Sequence, residues 1–157
     1  MLFRSFQFPQ FLGPNRDGHA APTRLERDWT QHPPRELWRR PIGLGWSGFV
    51  VSEGLAVTQE QRGEDELVSA YTLQAGEPAW SHATHARFRE WQGGDGPRAT
   101  PTIVGNKVYA FGATGWLQCL ELSSGRLVWA VDVLASNQLA NPTWGKSSSP
   151  QIGRAHV

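Results

Sequence analysis

The chain has 157 residues, a formal net charge of +1 and 39% hydrophobic residues, which suits one domain with a sizeable core. Its charges are near balance and interleaved, as in Arg24-Leu25-Glu26-Arg27-Asp28, which argues against a charge-driven nucleic-acid or membrane-surface partner. No apolar run approaches the roughly 20 residues of a membrane span, and a single cysteine excludes an intrachain disulfide framework and a Cys-rich zinc site.

That cysteine, Cys119, sits in the apolar run Trp116-Leu117-Gln118-Cys119-Leu120 and reads as a buried, inert thiol. The chain holds 8 tryptophans, 17 glycines and 11 prolines, and few stretches favour helix. Such a composition points to an all-β chain of many short strands.

In chain order, Met1–Ser5 read as the translation of a sequencing adapter with GTG as start codon, and residues 152–157 as that of the opposite adapter. Both ends are expected to be non-native. Roughly 6–151 is then a piece of a gene, and the missing signal peptide says nothing about compartment. Residues 6–35, with Pro9, Pro14, Pro22, Pro33 and Pro34, are expected to be extended or coiled.

The blades follow over 36–151. Leu37-Trp38 suggests one strand of a lead-in. Ser47 to Val51, a turn at Glu53-Gly54, Leu55 to Gln59, Glu66 to Thr72 and Pro78 to His82 form one four-strand unit. Thr100 to Val104, a turn at Gly105-Asn106, Lys107 to Phe111, Gly115 to Glu121 and Arg126 to Val131 form the next, and Ser147 to Gln151 begin another. Gly-Asn between apolar runs is a hairpin signal, because these residues tolerate positive φ.

The two units repeat. Gly76-Glu77-Pro78-Ala79-Trp80 and Gly125-Arg126-Leu127-Val128-Trp129 share a Gly-x-x-x-Trp frame offset by 49 residues, and Leu73/Leu122 and Pro101/Pro150 keep the same offset. Trp38 begins the same cycle one unit earlier. A period of about 40–50 residues with one Trp per unit belongs to β-propeller blades. The expected fold is therefore an all-β partial propeller of about two four-stranded antiparallel blades plus the first strand of a third. Closed propellers use about 4–8 blades, so this stretch does not close.

With the repeat in view, the chain resembles the pyrroloquinoline-quinone-type (PQQ-type) repeat propellers. The resemblance is carried by Phe8-Pro9-Gln10-Phe11-Leu12-Gly13-Pro14-Asn15-Arg16-Asp17-Gly18, Glu60-Gln61-Arg62-Gly63, Gly96-Pro97-Arg98-Ala99-Thr100-Pro101 and the two Gly-x-x-x-Trp frames. It implies a tryptophan-docking motif, Ala-x-Asp-x-x-Thr-Gly-x-x-x-Trp, in each blade. The first copy keeps Ala70, Gly76 and Trp80, with Thr72 for Asp and Ala75 for Thr. The second keeps Gly125 and Trp129, with Cys119, Glu121 and Ser124 at the other places. These residues are assigned a structural, blade-docking role, with Trp80 and Trp129 expected at equivalent positions in successive blades and largely buried.

The same family includes dehydrogenases that hold PQQ with Ca²⁺, an adjacent Cys-Cys disulfide and an Asp base, none of which can be matched here. No catalytic residue and no metal ligand is assigned. His82 and His85, three apart on a strand, fall on opposite faces. Gly43-x-Gly45 lacks the helix a nucleotide loop needs, and Ser147-Ser148-Ser149 has no His-Asp frame. The long connection from Ala83 to Arg98 is where binding groups collect on a β-scaffold. In it, Arg89 and Arg98 either bind an anion or pair locally with Glu90 or Asp95. Gln59, Glu60 and Arg62 either face the same mouth or form a solvated loop.

Two functions remain open at this point. One is a non-catalytic binding or scaffold module, as in the lipoprotein propeller of outer-membrane barrel assembly that it resembles in repeat type. Its partner would be a protein or a small ligand on the propeller face. The other is a PQQ-dependent dehydrogenase of alcohols or sugars. The resemblance implies a periplasmic or secreted parent protein; this stretch is expected to hold no cofactor, and PQQ with Ca²⁺ belongs to the parent protein if that is such an enzyme.

Overall fold

Two four-stranded antiparallel meanders form the centre of the computed structural model, which describes residues 7–19 and 25–153. The lead at 1–5 and the last four residues of the tail lie outside the described residues, as does Pro22. The first meander is β1 (Val50–Ser52), β2 (Leu55–Arg62), β3 (Asp65–Thr72) and β4 (Pro78–His85). The second is β5 (Thr102–Val104), β6 (Lys107–Phe111), β7 (Trp116–Glu121) and β8 (Leu127–Asp132). In both, sequence order is spatial order. Helix is confined, among the described residues, to one turn, α1 (Val133–Ser136), whose first turn is capped by the Asp132 carboxylate accepting from Ala135 N–H at 2.9 Å.

The core lies between the meanders. Opposite residues in a ladder share a face, so Val57, Ala70 and Trp80 line up across β2, β3 and β4, with Val68 beside them. That face packs against Val108, Ala110, Leu120 and Leu122 of the second meander, with Val50 and Ile103 completing the cluster. Each meander alone would leave this face wet. The two sheets are therefore consecutive blades of a partial β-propeller.

A ring set on a glycine ties one blade to the next. The Trp80 indole N–H donates to Leu122 O at 2.8 Å, and its six-membered ring lies where a Cβ on Gly125 would sit. Gly125 also has φ +68°, a conformation that disfavours any side chain. Trp38 repeats the arrangement one blade earlier, donating to Leu73 O at 2.9 Å and covering Gly76, φ +67°. In both steps the Trp of one unit docks on the glycine of the next unit's Gly-x-x-x-Trp frame. Ala70 lies fully buried opposite Trp80, and Cys119, 2% exposed, lies opposite Trp129, each beside an equivalent bulge. Burial pushes the Cys119 thiol pKa up, consistent with an inert thiol.

Thr72 does the turn work that the motif's Asp would do. Its hydroxyl accepts from Glu77 N–H at 3.1 Å and its carbonyl from Gly76 N–H at 2.8 Å. In the second copy the Glu121 carbonyl accepts from Gly125 N–H at 2.8 Å, while its carboxylate takes Lys107 and Arg126.

Three sequence expectations are corrected. The two docking tryptophans were expected to be largely buried, yet Trp80 is half-buried and Trp129 is 42% exposed. Trp129 stands on the far face of the second blade against Tyr109, where the docking glycine would come from a following unit. Leu37-Trp38 forms no strand: the lead-in lies extended over the outer face of the first blade and bridges its ladder at Leu44–Gln61. Ser147 to Gln151 also form no ladder. They lie along the start of the second blade through Thr100 N–H to Ser149 Oγ (3.0 Å) and Thr102 hydroxyl to Pro150 O (2.5 Å), and Pro150 has no N–H to donate.

The entry segment laces the leading strands together. Phe8 exchanges backbone bonds with Val51, Pro9 O accepts from Ile103 N–H at 2.7 Å, and Arg16 donates to Pro150 O at 3.1 Å.

Trp80→Ala is expected to cost about 3 kcal/mol in urea unfolding, by loss of the ring between two blades. Trp129→Ala, on the open face, should cost about 1 kcal/mol or less. Equal losses would show that the two rings are not distinguished by docking.

Candidate functional site

β2, β4, β6 and β8 all run toward one end of the blades, which gathers the β2–β3 turn, residues 86–101, the β6–β7 turn and the segment after β8. This is the loop face. Residues 86–101 are held by a dense set of polar contacts. Gln61 on β2 donates to Ala86 O at 3.1 Å and accepts from Phe88 N–H at 3.3 Å. Arg87 bridges Asp95 (3.1 Å) and Glu64 (3.2 Å). Glu90 is 7% exposed, and its carboxylate accepts from the N–H groups of Gln92, at 2.9 Å, and of Gly93. The loop is thus pinned at its base and along its tip.

Arg98 was weighed as an anion ligand or a partner of Glu90 or Asp95. It does neither. Its terminal nitrogens donate to Gly96 O (2.5 Å) and Gly94 O (2.7 Å), and its guanidinium lies 4.5 Å from the Phe88 ring centre. Arg89 is different. Its side chain is 70% exposed and its nearest carboxylate, Glu64, is 4.0 Å away.

Gln59, Glu60 and Arg62 do not form a solvated loop, because β2 continues to Arg62 and pairs there with Asp65. Gln59 is buried and donates to Ala99 O at 2.7 Å, tying the first blade to the connection ahead of the second. Glu60 points to the opposite sheet face and is fully buried. Its carboxylate accepts from Ser69 (2.5 Å), Tyr71 (3.0 Å), Arg62 (3.1 Å) and Gly43 N–H. Burial alone would raise its pKa, but these donors together hold the carboxyl below its usual range. The five candidates are therefore dispersed: Gln59 on the inter-blade face, Glu60 and Arg62 on the outer face, Arg98 folded into the loop and Arg89 exposed beside Glu64.

His82, half-buried with its pKa lowered by burial, and His85, exposed and 3.1 Å from Asp65, occupy opposite faces of β4. Among the described residues no group of three His, Cys, Asp or Glu side chains could hold a metal, and no helix is long and apolar enough to cross a membrane.

Two features escaped the sequence reading. Glu66 on β3 is 6% exposed, and its carboxyl accepts from Ala113 N–H of the neighbouring blade at 3.0 Å. Burial pushes its pKa up to about 7 against the opposing pull of that bond and of Arg98. The other is a group of indoles at the loop tip. Trp46 donates to Gly93 O, Trp144 lies beside Gly93, and Trp91 projects from the tip itself. Their exposures are 69%, 53% and 88%. The only sequence signal was that these three tryptophans lie outside the Gly-x-x-x-Trp frame.

No family model matches the chain, and no curated protein matches it. Among solved structures it is similar to BamB from Moraxella catarrhalis, at 22% identity and TM-score 0.39, over 57% of this chain and 22% of that one. It is also similar to the quinohemoprotein alcohol dehydrogenase ADHIIG from Pseudomonas putida HK5, at 17% identity and TM-score 0.46, over 60% of this chain and 14% of that one. The chain thus spans less than a quarter of either protein.

Two of the buried carboxylates, Glu66 and Glu60, give opposite pH dependences. Glu66, raised in the folded chain, contributes full stability below pH 4.5 and loses it as pH rises through about 7, a fall of about 3 kcal/mol. Glu60, lowered in the folded chain, loses its contribution as pH falls below its unfolded value. Urea midpoints from pH 4.5 to 8 should therefore decline, and Glu66→Gln should flatten that decline. A variant with the parent's slope would contradict the assignment.

Proposed function

We propose that the chain is part of a non-catalytic, PQQ-like propeller that acts as a binding module, with the loop face around Gly93 as its recognition surface. The supporting observation is the convergence of Trp46, Trp91 and Trp144 on one tip whose backbone is fixed by a buried carboxylate. Rigid display of exposed aromatic rings lowers the ordering cost of binding, and aromatic side chains carry a large share of binding energy. The occupant is a protein or small ligand on this face, and the parent protein is exported to the periplasm or beyond, as the resemblance in repeat type suggests.

The alternative, a PQQ-dependent dehydrogenase of alcohols or sugars, asks different things of the same residues. A carboxylate-bearing quinone with Ca²⁺ needs convergent guanidinium donors and open carboxylate oxygens. Arg98 spends both terminal nitrogens on carbonyls, Glu60 is closed by four donors, and Arg89 and Arg62 belong to different faces. These residues do not fit that group.

Titration of the chain with PQQ and Ca²⁺, followed by absorbance and by dye-linked alcohol oxidation, should give neither saturation nor turnover. Saturable micromolar binding with alcohol oxidation would overturn the non-catalytic reading.

A further inference from the structure

Six of the chain's eight tryptophans fall into two groups. Trp38 and Trp80 dock on glycines and Trp129 holds the equivalent place in its frame, whereas Trp46 and Trp144 come from separate stretches to Gly93, and Trp91 lies two residues before it on the same tip. Trp91 is 88% exposed, on a tip whose backbone amides are held by Glu90. Beside it lies an open pocket lined by Arg87, Arg89, Glu90, Trp91, Asp95 and Thr143. One wall is a flat apolar ring. The others carry guanidinium donors, carboxylate acceptors and a hydroxyl.

From this geometry we infer a saccharide-binding site at Trp91, in which the indole takes the apolar face of a pyranose ring. The inference rests on the loop face being a binding surface and names its ligand class. A pyranose has one C–H-rich face and a rim of hydroxyls that each donate and accept. The pocket supplies both needs together, because Arg87 and Asp95 are held 3.1 Å apart as a paired donor and acceptor, while the 70% exposed Arg89 guanidinium, paired with Glu64 only at 4.0 Å, has donors left for a ring hydroxyl or a uronate carboxylate. A proline-rich peptide asks chiefly for parallel aromatic ridges and has little use for such a charged wall. Sites for small ligands commonly combine an apolar wall with a few fixed polar groups, and the pinned loop keeps this combination in place before the ligand arrives.

The test is calorimetric titration of the full chain with cellohexaose, maltohexaose and hexagalacturonate, with tryptophan fluorescence read in parallel. At least one should bind saturably, and Trp91→Ala should weaken it by about tenfold or more. At 88% exposure Trp91 is replaceable without loss of fold. Trp29→Ala, exposed at a remote turn, should leave the affinity unchanged. Arg89→Gln should weaken hexagalacturonate more than the neutral sugars if a carboxylate is the recognised group, and all alike if hydroxyls are. Failure of all three to bind, binding indifferent to Trp91→Ala, or tighter binding of a soluble polyproline peptide at Trp91 would overturn the saccharide assignment while leaving a binding face intact. Cleavage or oxidation of a bound sugar, read by mass spectrometry, would instead overturn the non-catalytic reading and leave the site standing.

Discussion

The contact between Trp80 and Gly125 organises the rest of the molecule. Four short strands cannot bury their own apolar face, so each blade depends on the next one for its core. A large planar ring reaching across that boundary requires a backbone with nothing on it, and only glycine provides that at φ +68°. The indole N–H then finds a partner in Leu122 O, so the ring is buried on one side without stranding its polar atom. Trp38 over Gly76 is the same solution one step earlier, reached from an extended segment instead of a strand.

Polar groups at the blade boundary follow from the same geometry. Close approach of the two sheets leaves Gln59, Glu66 and Gln118 away from water, and each is joined across the boundary: Gln59 to Ala99 O, Glu66 to Ala113 N–H, and Gln118 to the Thr84 hydroxyl. Glu60 is as buried as Glu66, yet the two titrate in opposite directions. Four donors close on Glu60, whereas Glu66 has one backbone N–H and a more distant arginine to set against burial. The loop face is built outward from this boundary. Its long connection is rigid because its acidic and basic residues pair with its own backbone and with the β2–β3 turn, and that rigidity leaves the tip's aromatic rings in water.

Period and alternation made the blades legible in the sequence, since the strand spans and the Gly-x-x-x-Trp frames depend on local pattern alone. The turn at Gly63-Glu64 was harder to place, so β2 was expected to end at Gln59. Three further paired residues moved Glu60 from an assumed loop to the buried outer face. Burial of Trp129 was misjudged because the frame states which residue docks and not which unit supplies the surface. Glu66 and the Trp46–Trp91–Trp144 group could not be read locally. Each arises from stretches far apart in the chain that meet only when the blades are stacked, and a tryptophan in a loop has the same letter whether it is covered or displayed.

A double-mutant cycle on Trp80 and Gly125, read by urea unfolding, addresses the docking most directly. If the ring requires the bare glycine, Trp80→Ala and Gly125→Ala should couple by about 1 kcal/mol or more, because Gly125→Ala loses its collision once the ring is gone. The residual effect of Gly125→Ala in the Trp80→Ala background should be the strain of positive φ alone. Strictly additive losses would contradict docking as the interaction that joins the blades.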